Sequence, residues 1–261
     1  MLRSCFAYCA LIAVVVLAWH GPVIGGGQSD QQAERSQVSA LRLVPFPKEV
    51  RLEAGRCPLR QQFVLEASPI AIRLLGELIG DELERLGLKR PEDHPRKELE
   101  LALRLSAKPD LPAPPGVFGS DIRPEDYHLE VRPDGITVTA AGLAGVLHGA
   151  HTLCQLIRAN AGIDGIPCLT INDWPSFRWR AFQDDMTRGS SSTLETLQRE
   201  VALGAGFKIN LLAYYMEYQF AFGKHPAIGP KDGSLTPEDL GKLVAYARPR
   251  HVDILGSQQS F

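Results

Sequence analysis

The sequence predicts an α+β domain followed by an incomplete α/β barrel of the TIM type with about three β/α units. Three observations predict it. Leucines alternate with polar residues at 99–105, and two further alternating segments at 127–138 meet at a turn. That is the pattern of half-buried strands, whose successive side chains point to opposite faces. Residues 69–86 and 143–157 carry apolar side chains at helical spacing. Beyond Ile166-Pro167, short and nearly continuous apolar segments alternate with capped helices, as parallel strands covered on both faces require.

The first element stands outside the fold. Residues 1–29 carry one arginine, Arg3, then an apolar run from about Cys5 to Trp19, then small residues and glycines, which is the order of a secretory signal. A membrane-crossing helix needs roughly 20 apolar residues; this run is shorter and stops at His20-Gly21-Pro22. A signal peptide over 1–27 is therefore expected, with an uncleaved anchor as the alternative. Either implies export, to the periplasm or the exterior, and cleavage leaves no stable membrane span. Residues 28–40 then form a polar linker.

The α+β domain is expected over 41–169. In 69–86, Ile70, Leu74, Leu75, Leu78, Ile79, Leu83 and Leu86 make the apolar stripe of a helix that covers a sheet. Leu99, Leu101, Leu103 and Leu105 share one face of a strand. The proline-rich stretch 108–119 reads as an exposed loop. Tyr127, Leu129 and Val131 alternate, Pro133-Asp134-Gly135 turns the chain, and Ile136 and Val138 return, making a hairpin. Val146, Leu147, Ala150, Leu153, Cys154 and Ile157 mark a second helix. Strands and helices in this order suggest an antiparallel sheet covered on one side.

Residues 170–261 read as the partial barrel. A strand is expected at 179–183. Ser192-Thr193-Leu194-Glu195 reads as a capping box opening a helix through Leu203, and a strand follows at 209–215. Thr236-Pro237-Glu238-Asp239 caps a helix through Ala247, with proline at its first position, and a third strand runs over 252–257. Such units connect right-handedly with helices outside. Three strands and two helices fall short of the eight of each that close a barrel, so the sequence reads as truncated.

Composition narrows the function classes. An apolar fraction of 44% supplies real cores, and a net charge of -2 with acids and bases interspersed leaves no footprint for phosphate backbones, so nucleic acid is not an expected partner. Of five cysteines, Cys5 and Cys9 leave with the signal; Cys57, Cys154 and Cys168 match no metal spacing and are expected as buried thiols with at most one bridge. Cys9 begins the apolar run instead of following it, which argues against a lipid anchor. Gly25-Gly26-Gly27 follows no strand and makes no phosphate loop. His148 and His151 lie three apart with no carboxylate or third ligand beside them and are expected in surface or packing roles. Asp184 and Asp185 are consecutive on a strand, so they point to opposite faces and do not converge on a cation. Neither metal nor cofactor is expected.

The densest polar cluster is 177–189, FRWRAFQDDMTRG, at the first parallel strand. Residues at the C-terminal ends of barrel strands carry an elevated functional expectation; the plain alternative is an ion pair of Asp185 with Arg188 on a loop. The order Asn172-Asp173-Trp174-Pro175-Ser176-Phe177, then Arg180, Asp185 and Arg188, then Lys208-Ile209-Asn210, resembles the entry into the barrel of family 20 glycoside hydrolases, the β-N-acetylhexosaminidases. Upstream, the hairpin and the run 149–156 resemble the end of the α+β domain that precedes that barrel.

The resemblance implies a glycosidase that removes terminal N-acetylglucosamine or N-acetylgalactosamine, with an amino-sugar oligosaccharide or glycoconjugate as partner. It makes Arg180 the sugar-hydroxyl contact, a task suited to its fixed fork of donors, and gives Asp185 a structural or orienting role. The sequence departs from the family pattern where Ala213-Tyr214-Tyr215-Met216-Glu217 stands for His-x-His and where Gln258 replaces an acid. Tyr215, Glu217 and Gln258 are still placed where strands would present them to a sugar; a core tyrosine, a solvated acid and a loop amide are the alternatives. In this family the substrate's own acetamido oxygen attacks the anomeric carbon, helped by an adjacent Asp-Glu pair after the fourth strand. That pair is expected beyond residue 261, leaving this chain without catalysis. The competing class is a secreted carbohydrate-binding or scaffold protein.

Overall fold

The computed structural model describes residues 36–59, 63–66, 69–87, 101–107, 125–189, 192–229 and 234–259. The expected signal peptide, most of the linker, the loop at 108–119 and the side chains of the leucine-rich strand lie outside the described residues.

Six strands form the first sheet: β1 (Glu49–Cys57), β2 (Phe63–Glu66), β3 (Leu101–Ala107), β4 (Tyr127–Arg132), β5 (Gly135–Ala140) and β6 (Ile166–Asp173), in the order β1-β6-β4-β5-β3-β2. Two helices accompany it, α1 (Pro69–Arg85) and α2 (Leu143–Asn160), packed on one another. The sheet is mixed, not antiparallel as expected, because β3 runs parallel to both β2 and β5. Alternation reports which face a side chain takes and is silent on strand direction. The direction follows from α1, which supplies the long crossover that a parallel β2–β3 pair needs.

One face of the hairpin is buried. Tyr127, Leu129, Val131, Ile136, Val138 and Ala140 meet Val146, Ala150, Leu153 and Ile157 of α2 in a single core. The helix comes close because two of its inward positions lack a side chain. A Cβ on Gly145 would lie 2.2 Å from the Asp126 carbonyl oxygen, and one on Gly149 2.4 Å from Val138 Cγ1. Cys57, Cys154 and Cys168 are buried, with no disulfide bridge among the described residues.

The second sheet is parallel: β7 (Ala181–Asp185), β8 (Leu211–Tyr215) and β9 (Asp253–Ser257), joined through α3 (Leu194–Gly206) and α4 (Pro237–Ala247). Leu212 and Tyr214 share a core with Leu197, Val201, Leu243 and Ala247, so the helices cover that face. On the opposite face the register aligns Asp185, Tyr215 and Ser257 across the three strands at their C-terminal ends. The helix starts differ from expectation in one case. Thr193, not Ser192, caps α3 by accepting from the Thr196 amide at 3.2 Å, so no Ser-Glu box forms and Glu195 pairs with Arg199 instead. At α4 the Thr236–Asp239 box is reciprocal, with Pro237 in the first turn. No helix among the described residues is long and apolar enough to cross a membrane.

Candidate functional site

The two sheets meet at a buried polar junction. Lys208 follows α3 with φ 61°, a left-handed position that ordinarily favours glycine. Its side chain explains the choice. Nζ donates to Asp173 Oδ2 at 2.7 Å and to the Tyr127 hydroxyl at 2.9 Å, tying the start of β8 to β6 and β4. Tyr127 in turn donates to Asp173 at 3.1 Å and lies 2.7 Å from Thr152 Oγ1, while the Lys48 amide donates to Asp173 Oδ1 at 3.2 Å. Burial pushes the Lys208 ammonium below its ordinary range, against the pull of Asp173. Burial and the Asp173 charge raise the Tyr127 phenol.

Arg180 belongs to this junction. It precedes β7, at the N-terminal end of the parallel strands. Its Nε donates to the Lys208 carbonyl at 2.6 Å, Nη1 to the Phe177 carbonyl at 2.9 Å, and Nη2 pairs with Glu125. The same carboxylate lies 3.0 Å from His148 Nε2. Burial alone would raise the Glu125 carboxyl, but hydrogen bonds from His148 and Arg180 hold it below the usual range. Asn210 completes the joint, accepting from the Arg180 amide at 2.9 Å and donating to the Arg178 carbonyl at 2.7 Å. The residue expected to meet a sugar is thus turned toward main-chain carbonyls and a carboxylate of the first domain. His148 and His151 are both buried here, so the surface role is corrected, and His148 does have a carboxylate. Glu125 escaped the sequence reading because it follows a proline-rich stretch with no periodicity to flag it.

The other end of the parallel strands is open and polar. Asp185 Oδ1 accepts from the Thr187 amide at 2.9 Å and its hydroxyl at 2.6 Å; Oδ2 accepts from Arg188 Nε at 3.2 Å. The Thr187 bonds hold the Asp185 carboxyl below its ordinary range. The Arg188 side chain is 81% exposed, against 19% for Arg180, and so keeps donors free for a ligand. On β8, the Tyr215 hydroxyl donates to Glu217 and lies 2.7 Å from Gln259 Oε1. Glu217 is held at φ 40°, a strained conformation for a residue with a side chain. The Tyr218 hydroxyl donates to the Thr187 carbonyl at 3.3 Å, tying the β8 and β7 loops. Gln259, not Gln258, reaches Tyr215. Two residues beyond Ser257, it comes back to the side that Tyr215 shares.

This end can recognise a neutral, hydroxyl-rich ligand: carboxylates accept from hydroxyls, a guanidinium donates to them, and a phenol does either. In parallel α/β sheets ligands bind outside the carboxyl ends of the strands. Asp184 and Asp185 face opposite ways, pairing in register with core Tyr214 and with Tyr215. Among the described residues no group of three or more His, Cys, Asp or Glu could hold a metal ion. The single Asp-Glu dipeptide of the sequence, Asp81-Glu82, lies on α1, where Arg85 donates to Glu82 at 3.0 Å and Arg158 at 3.1 Å. It is at no strand end.

Residues 40–174 match the family model described as glycosyl hydrolase family 20, domain 2. A beta-hexosaminidase of Akkermansia muciniphila is 27% identical over 179 residues, covering 61% of this chain and 34% of that protein. A beta-hexosaminidase subunit beta of Entamoeba histolytica is 30% identical over 151 residues, covering 53% and 26%. The matched stretch thus spans about a third or less of these curated relatives. Among solved structures, the Streptomyces plicatus N-acetyl-beta-hexosaminidase superposes with TM-score 0.63 at 23% identity, covering 83% of this chain and 45% of that one. The Flavobacterium johnsoniae chitobiase gives 0.62 at 21%, covering 84% and 34%.

Proposed function

Because the chain belongs to glycosyl hydrolase family 20, we propose that the whole protein is an exported enzyme that releases terminal N-acetylhexosamine from amino-sugar oligosaccharides or glycoconjugates. The observation that carries this reading is the row at the carboxyl ends of the parallel strands, where Asp185 and Tyr215 stand side by side with exposed Arg188 and with Glu217. In this reading the three parallel strands open a (β/α) barrel over 170–261, preceded by the α+β domain over 41–169. The sugar approaches the carboxyl ends, as in barrels generally.

Arg188 is then the donor to sugar hydroxyls, oriented by Asp185. Tyr215, Glu217 and the Gln259 amide form the flank of the sugar site, and Arg180 holds the barrel entry to the first domain. The acetamido oxygen of the substrate serves as nucleophile, a known exception to two-carboxylate glycoside hydrolysis. An Asp-Glu pair outside these 261 residues orients it and protonates the leaving oxygen. The support is that the one Asp-Glu dipeptide of the sequence, Asp81-Glu82, lies on α1 and at no strand end, and that the match spans only a part of the relatives' length. The apolar run after Arg3 supports export.

A chromogenic N-acetylhexosaminide tests this reading. The whole protein is expected to release chromophore and the 261-residue chain to match the blank. Turnover by the chain alone would overturn the assignment of the catalytic pair. Glycan binding by the whole protein without hydrolysis would favour a non-catalytic carbohydrate-binding role.

A further inference from the structure

The junction holds more titratable groups than a static joint needs. His148 and His151 sit three apart on α2, so both face the second domain, and both are buried. They differ in company. His148 lies 3.0 Å from the Glu125 carboxylate, with Lys208 and Arg180 as its cationic neighbours. The charges that weigh most on His151 are cationic or potentially so, His148, Lys208, Arg250 and Arg158, three of them paired outward with Glu125, Asp173 and Glu82. Its Nε2 is buried without a hydrogen-bond partner among the described residues. Its Nδ1 lies 4.0 Å from where a side chain on Gly206, the last residue of α3, would begin. One turn along α2, Gln155 Nε2 donates to the Gly206 carbonyl at 3.1 Å, so the end of α3 is seated against this stretch.

We propose that the α2–α3 contact is a proton-sensitive clasp: closed while His151 is neutral, and loosened in acid when His151, whose buried Nε2 has no hydrogen-bond partner among the described residues, takes up a proton. His148 is the lesser partner, since Glu125 can accept its proton's charge. The charge balance agrees. Burial, followed by the His148 and Lys208 charges, lowers His151 from 6.5 to about 3. A histidine depressed in the folded state leaves the unfolded chain binding more protons below its ordinary value. The clasp is therefore at full strength above pH 6.5 and weakens as pH falls from there toward about 3. At pH 5 this one site is expected to shift the folded-to-unfolded ratio by about 30-fold.

Urea unfolding of the 261-residue chain at pH 8 and pH 5, for wild type and for His151→Gln and His151→Met, tests the clasp. The variants are expected to lose about 30-fold less of the ratio across that interval than wild type does. Amide exchange, corrected for its intrinsic pH dependence, is expected to rise at pH 5 in residues 204–212 and not in 135–140 of wild type. Equal pH slopes in wild type and variants would overturn the proposal. If neither variant folds, the wild-type imidazole answers alone: by NMR, His151 titrating near 6.5 in the folded chain would overturn it, and titration far below would uphold it.

Discussion

Asp173 closes the first sheet and Lys208 opens the second strand of the next, and the two meet across the junction with Nζ 2.7 Å from Oδ2 and both side chains less than a tenth exposed. Removing one partner strands a buried charge, which costs about 3–5 kcal/mol. Lys208→Met and Asp173→Asn are each expected to lose that much in urea unfolding. The double variant is expected to lose less than the sum, because neither charge is then left alone. Additive losses would show that the pair is not coupled.

Glu125 is the second bolt, and its pH signature differs from that of His151. Its carboxyl is held below 4.5 by His148 and Arg180. A depressed carboxylate contributes stability that is fully present above its ordinary pKa and is lost as pH falls through the folded value. Glu125→Gln is therefore expected to flatten the stability profile below about pH 4.5, where the lost carboxylate would have titrated. A change confined to higher pH would assign the effect to histidine instead.

Gly145 is expected to resist replacement although it lies inside a helix. Alanine there gains about 1 kcal/mol of helix propensity. Its Cβ would stand 2.2 Å from a backbone carbonyl that has no rotamer to change, and overpacking of that kind costs about 1–3 kcal/mol. The clash wins. Thermal unfolding of Gly145→Ala is expected to show a lower Tm, and a raised one would mean that α2 can retreat.

Much of the fold was legible because hydrophobic period reports which face is buried. The hairpin turning at Gly135, both amphipathic helices, the three parallel strands and the Thr236 cap all follow from local spacing. Direction was not legible: the leucines of β3 alternate identically in a parallel or antiparallel ladder, so the mixed sheet emerged only from pairing with Gly135–Ala140. The site divided in the same way. Asp185 and Tyr215 were readable as strand-end residues and Arg180 as the start of the strand at 179–183, but nothing in FRWR tells what Arg180 bonds. Its placement depends on Glu125 and on the Lys208 carbonyl, 55 and 28 residues away in the chain. Contacts at that distance leave no periodic trace.

In the proposed enzyme, sugar is met at the carboxyl ends of the parallel strands, with Arg188 as donor and Arg180 as joint. Kinetics of N-acetylhexosaminide hydrolysis, with Tm measured beside them, test it most directly in whole-protein Arg188→Ala and Arg180→Met. Losing hydrogen bonds from a charged donor costs about 1.5–3 kcal/mol, so Arg188→Ala is expected to lower kcat/KM by at least about tenfold with Tm unchanged. Arg180→Met is expected to lower Tm first. The reverse pattern, with Arg188→Ala fully active and Arg180→Met inactive at an unchanged Tm, would contradict the claim.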